Sequence, residues 1–235
     1  MAPKLFLSAA DRGSINHLVS QTHRFVGPAK LIAVLTFGSR ILGLLRETVY
    51  SHIFGASPLL SAFRVAFQVP NLFRRMFGEG ALTSSFIPVF TRCRETEGED
   101  EARRLAGGVL TLVTAVLLAL LLLAELGLLL VSRFTWNETL NLTAIMLPYM
   151  VLICLTAFFA GLLNVLNRFG VPAMAPIILN VAIIVTALVS PLVVDMSPAR
   201  HMTVLAVAVL VAGVLQVGSQ ILWVRVTGFS IRINF

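Results

Sequence analysis

Apolar residues run through this chain in blocks of about 20, divided by short polar stretches. The blocks predict six membrane helices, at residues 28–50, 58–90, 107–131, 142–166, 171–194 and 202–226. The strict apolar/polar alternation of a membrane β-barrel is absent from the pattern. Pro28 and Pro58 suit first helical turns. Phe54-Gly55-Ala56-Ser57-Pro58 reads as a tight turn, punctuated by its Gly and Pro. Residues 91–104 (TRCRETEGEDEARR) carry the densest charge and read as an aqueous loop. Residues 133–141 form a short polar loop, with Trp136 as an interfacial anchor and N-x-T sequons at Asn137 and Asn141. A further polar loop is expected at residues 195–201. Residues 1–27 are mixed, have no continuous apolar core or cleavage site of a signal peptide, and read as a cytoplasmic extension.

The first two predicted helices differ from the other four. Between residues 32 and 90 they carry five arginines: Arg40, Arg46, Arg64, Arg74 and Arg75. An arginine at membrane depth costs a few kcal/mol on insertion scales, so its position demands a reason. In the first helix Thr36, Arg40, Gly43 and Glu47 recur at offsets of 0, 4, 7 and 11, on one helical face, with Ser39, Arg46 and Tyr50 in a row beside it. In the second, Arg64, Gln68, Asn71 and Arg75 repeat the same offsets, and Glu79 lies one turn on. Pro70 should kink or break that helix, and Gly78 and Gly80 around Glu79 mark a second irregular point. Interrupted helices that line a cavity recur in transporters.

Composition sharpens this picture into an all-α membrane protein. The chain is 57% hydrophobic and 12% charged, against about 25% charged for a soluble domain. Its mean hydropathy is +0.91. The net charge of +7 would suggest nucleic acid for a soluble chain; here it reflects basic loops and the intramembrane arginines, and no nucleic-acid partner is expected. Lys4, Arg12, Arg24 and Lys30, then Arg92, Arg94, Arg103 and Arg104, then Arg168, then Arg225 and Arg232 fall on one side of the six-span arrangement. Only Arg133 and Arg200 fall opposite, so both termini are expected in the cytoplasm. Cys93, Cys154 and the four scattered histidines offer no disulfide and no metal spacing, and no cofactor is expected.

Arginine suits phosphate and carboxylate: its planar fork donates in pairs and stays charged at any pH. Ion pairing with Glu47 and Glu79 would still leave an excess of three positive charges among the five arginines. A phosphate-bearing ligand in a protected cavity fits that excess. Catalysis fits poorly, because no Ser/His/Asp constellation, metal set or further carboxylate pair stands near. The candidate binding residues are Arg40, Arg46, Arg64, Asn71, Arg74, Arg75 and Glu79.

Residues 39–47 (SRILGLLRE), 54–56 (FGA), 62–81 (AFRVAFQVPNLFRRMFGEGA) and 85–89 (SFIPV) closely resemble the first two helices of the lipid II flippase family MurJ, also called MviN. That family belongs to the multidrug/oligosaccharidyl-lipid/polysaccharide exporter superfamily. Weaker echoes continue through Pro148-Tyr149, residues 164–169 (NVLNRF), residues 172–176 (PAMAP), Asn180 and the closing Arg232-Ile233-Asn234-Phe235. The resemblance implies a transporter of the bacterial cytoplasmic membrane rather than an enzyme. It would move lipid II, the undecaprenyl-diphosphate-linked peptidoglycan precursor, from the inner to the outer leaflet by alternating access. It also implies cavity arginines at Arg40, Arg46 and Arg74, with Arg75 beside the last. Two departures stand out. Ser61 occupies a position that is acidic in the family, and Arg64 replaces an aromatic residue. Family members are also about twice this length, in two lobes. The chain is therefore expected to be a six-helix N-terminal lobe, as a fragment, a truncated product or half of a split protein. Residues 227–235 would begin the linker to a missing C-terminal lobe. Competing readings are an O-antigen flippase or drug exporter of the same superfamily, an enzyme acting on a lipid diphosphate, and a non-transporting half.

Overall fold

The computed structural model describes residues 9–135, 137–193 and 197–231, with side chains from residue 27 onward except at 28, 78, 79 and 81–83. Lys4, Trp136, Asp195 and the closing residues 232–235 lie outside the described residues, as do the side chains of Arg12, Arg24 and Glu79. Among the described residues the chain is all-helical: α1 (Ala9–Phe54), α2 (Pro58–Phe73), a π-helical segment (Arg74–Phe86), α3 (Ile87–Thr96), α4 (Glu99–Ser132), α5 (Glu138–Met146), α6 (Tyr149–Val165), α7 (Gly170–Val193) and α8 (Pro198–Val226).

Several boundaries differ from the sequence pattern, each for a physical reason. α1 begins at Ala9 and passes through Gly27 and Pro28 rather than starting at the proline. The charged stretch 91–104 is mostly helix, broken only around Gly98, which adopts φ 95°. Glu99, Asp100 and Glu101 fill the first turn of α4, where the helix dipole favours acidic side chains. Arg103 and Arg104 then pair back to Glu99, Asp100 and Glu101 one turn earlier. What reads as a loop by charge is therefore a helix start by charge placement. Pro148 divides the fourth predicted helix into α5 and α6. Arg200 and His201 belong to α8, whose start is capped by the Ser197 hydroxyl accepting from the Arg200 amide at 3.4 Å.

Among the described residues, four helical stretches are long and apolar enough to cross a membrane: 99–132, 138–165, 170–193 and 198–226. The chain is a multi-pass membrane protein. The six spans expected from the pattern are not reached on this measure: α2 is only 16 residues long before the π segment interrupts it, and Lys30, Arg40, Arg46 and Glu47 fall within the apolar stretch of α1.

α1 runs along α7, α7 along α8, α8 along α6 and α2 along α5, while the π segment leans on α6. α6 is the central element, and α4 turns its leucines outward, with Leu118, Leu122, Leu126 and Leu129 exposed. Lipid tails are as apolar as leucine, so helices in a membrane associate through close packing and polar contacts. α8 illustrates this. Its buried stripe includes Ala206, Ala212 and Gly213, and a Cβ at Gly213 would stand 2.7 Å from Tyr149 Cδ2. The second cluster is aromatic: Phe86 stacks on Phe158 at 5.0 Å, and Phe90 meets Phe229 edge-on at 5.8 Å. The backbones of α1 and α2 come close at few points, but Tyr50 meets Phe63 edge-on at 5.5 Å between them, and both helices line the site.

Candidate functional site

A cavity of about 950 Å³ lies between α1, α2, the π segment, α6, α7 and α8. α1 contributes Gly43 and Arg46. α2 and the π segment contribute Arg64, Gln68, Asn71, Arg74 and Arg75. Across from them stand Tyr149, Thr156 and Asn164 of α6, Asn180 of α7, and Gln216 and Gln220 of α8. One wall is cationic and the other is neutral and amide-rich.

Arg46 is held on several sides. Its Nη1 donates to Asn180 Oδ1 at 3.1 Å and its Nη2 to Glu47 Oε1 at 2.9 Å. The guanidinium carbon also sits 5.9 Å from the ring centroids of both Tyr50 and Phe67, within cation–π range. Asn180 is 5% exposed and uses its other end as well, donating from Nδ2 to the Ser39 carbonyl at 3.2 Å. Asn180 thus ties α7 to two turns of α1 and fixes the guanidinium at the cavity edge. The Nε of Arg46 is buried without a hydrogen-bond partner, so this cation retains unused donor capacity.

Glu47 serves two arginines, because its Oε2 accepts from Arg64 Nη2 at 3.0 Å. Ser61, on the same helix as Arg64, donates its hydroxyl to the Ser57 carbonyl at 3.3 Å. Both partners are substantially exposed, at 52% for Arg64 and 43% for Glu47, so solvent weakens the pair.

Arg74 and Arg75 open the π segment. π-helical turns are rare and concentrate at functional sites. This one follows Pro70, whose ring removes a backbone donor inside α2, and spans the Gly78-Glu79-Gly80 stretch. Asn71 turns its amide back onto the Phe67 carbonyl at 3.1 Å.

The stripe Arg64, Gln68, Asn71 and Arg75 reaches the cavity as a unit, joined by Arg46 and Arg74. Arg40 lies on the exposed surface of α1 and does not line the cavity in this conformation. Glu79 falls in the π segment, with its side chain outside the described residues. The sequence pattern does not single out the facing wall. Asn180, Gln216 and Gln220 are buried polar residues in strongly apolar helices, and that placement was the available signal.

The model of the family described as lipid II flippase MurJ matches residues 50–235. This chain belongs to the MurJ family. A probable lipid II flippase MurJ of Rhizobium tropici is 37% identical over 211 residues, covering 85% of this chain and 39% of that protein. A probable lipid II flippase MurJ of Bdellovibrio bacteriovorus is 39% identical, covering 80% of this chain and 37% of that protein. The lipid II flippase MurJ of Burkholderia cenocepacia is 36% identical over 79% of this chain. A solved structure of lipid II flippase MurJ in an inward closed conformation superposes with a TM-score of 0.68 at 29% identity, covering 86% of this chain and 43% of that one. The chain thus spans about two-fifths of the length of the MurJ relatives it matches. The family-model match starts at Tyr50 and so includes Arg64, Arg74 and Arg75 but not Arg40 or Arg46.

Proposed function

We propose that this chain forms one lobe of a lipid II flippase, a transporter of the bacterial cytoplasmic membrane that serves cell-wall synthesis. The arginine wall holds the diphosphate of the undecaprenyl-linked precursor while the headgroup crosses between leaflets. The observation that carries this reading is the convergence of Arg46, Arg64, Arg74 and Arg75 on one cavity, with Arg46 pre-set by Asn180 and Glu47. Arginine forks fixed before the ligand arrives suit a diphosphate, which accepts paired hydrogen bonds. The names of the MurJ relatives support the same substrate. A cavity for cationic drugs would call for acidic lining instead. Arg40 and Glu79 complete the proposed set, with Arg40 entering when the helices rearrange.

In this reading the chain crosses the membrane six times, with α1 and the α2–π–α3 rod joining the four apolar spans. Leu31, Val34, Ile41 and Leu44 are exposed on α1 and give it a lipid face, while Arg46 points inward. A helix of 46 residues is about 69 Å long, more than twice a hydrocarbon core of about 30 Å. Its first turns extend into the cytoplasm, where the basic loops place both ends of the chain. A second lobe closes the remaining open side of the transport path.

Arg46→Ala and Arg74→Ala, each in the full-length protein, are expected to abolish rescue of flippase-depleted bacteria while membrane expression persists. Normal growth with both variants would remove the arginine wall from the mechanism.

A further inference from the structure

The neutral wall carries a feature that anion binding does not use. Gln216 and Gln220 lie one turn apart on α8, on the same buried face, and both line the cavity. Gln216 is fully engaged: its Nε2 donates to the Ala175 carbonyl at 2.6 Å, and its Oε1 accepts from the Tyr149 hydroxyl at 3.3 Å. Gln220 is 0% exposed, yet neither its Nε2 nor its Oε1 has a hydrogen-bond partner. A buried amide with both ends unpaired is costly and uncommon. A leucine or methionine would fill the same space in an apolar helix without that cost. Asn164, on the neighbouring α6, is exposed to the same cavity. Gln216 therefore has a packing role, and Gln220 is left with capacity to donate and accept.

We propose that Gln220 is a specificity residue of the cavity, whose amide reads an uncharged polar group of the bound headgroup, a sugar hydroxyl or an acetamido or peptide amide. Three side-chain torsions allow the amide to swing from its sealed position toward the cavity once a partner is there. The division of labour follows from chemistry. A neutral amide gives a phosphate little beyond what four arginines already give, whereas it matches a group that both donates and accepts. Gln220 thus separates a lipid diphosphate that bears saccharide and peptide from one that does not. The inference rests on the flippase reading, which supplies the headgroup.

The test uses the full-length protein in nanodiscs and two probes: undecaprenyl diphosphate, and the same lipid bearing the disaccharide peptide. Gln220→Met keeps length and volume. It is expected to weaken binding of the saccharide-bearing lipid by about tenfold, to leave undecaprenyl diphosphate unchanged, and to keep or raise the melting temperature of the ligand-free protein. Equal effects on both probes, no effect on either, or a lowered ligand-free melting temperature would each overturn the specificity role. If the unsubstituted protein bound neither lipid, the flippase reading itself would fall and take this inference with it. Gln220→Asn, shorter but still an amide, is expected to recover part of the lost affinity.

Discussion

Asn180→Leu tests the most specific piece of geometry at the site. The substitution removes two hydrogen bonds at once, the acceptance from Arg46 Nη1 at 3.1 Å and the donation to the Ser39 carbonyl at 3.2 Å. Interhelical hydrogen bonds in membranes average about 0.6 kcal/mol and reach about 1.7. The Ser39 bond belongs near the average. The Arg46 bond is charge-assisted, a class worth about 1.5–3 kcal/mol in soluble proteins. It belongs toward the upper membrane value, because the Arg46 side chain is only 19% exposed and its Nε already lacks a partner. The sum is about 2 kcal/mol of lost stability. Added leucine surface offsets little of it, since lipid solvates leucine as well as a helix neighbour does. Reversible unfolding in mixed detergent micelles measures the loss directly. Asn180→Asp is the informative companion. It keeps an acceptor for Arg46 but loses the donation to the Ser39 carbonyl, so it should retain only part of the stability, and the carboxylate it places on the guanidinium should weaken binding of an anionic lipid. A stability loss below about 0.5 kcal/mol for the leucine variant would refute the idea that Asn180 locks α1 to α7.

Other consequences follow from neighbouring contacts. Glu47→Gln removes the carboxylate that Arg46 and Arg64 share at 2.9 and 3.0 Å; it should tighten binding of undecaprenyl diphosphate and steepen its salt dependence, at a stability cost of at most about 1 kcal/mol for the exposed Arg64 pair and more for the half-buried Arg46 pair. Gly213→Ala would bring a Cβ within 2.7 Å of Tyr149 Cδ2 and 2.9 Å of Leu152 Cδ1. An overpacked α6–α8 contact should lose about 1–3 kcal/mol in the same micelle assay, and an unchanged midpoint would show that the ring can move aside.

The cationic wall was legible in the sequence because charge in an apolar segment is conspicuous and helical spacing orders it. Arg64, Gln68, Asn71 and Arg75 share a stripe at offsets of 0, 4, 7 and 11 and all reach the cavity. The two rows on α1 were less decisive. Gly43 of one and Arg46 of the other line the site, while Arg40 stays outside it. The neutral wall was hidden for a different reason. Asn180, Gln216 and Gln220 carry no charge, and whether an amide packs or binds depends on partners from other helices, such as the Ala175 carbonyl and the Tyr149 hydroxyl. Gly78 and Gly80 marked the irregular region, but a π segment running from Arg74 to Phe86 has no sequence period that announces it. The start of α4 was misread as a loop because hydropathy ignores where along a helix the acidic residues sit.

One equilibrium tests the arginine wall most directly: binding of undecaprenyl-diphosphate-linked disaccharide peptide to the full-length protein in nanodiscs, with and without the paired substitutions Arg46→Ala and Arg74→Ala. The arginine wall predicts at least about tenfold weaker binding for the double variant, with helical content unchanged by circular dichroism. Equal affinity for the two proteins would contradict it.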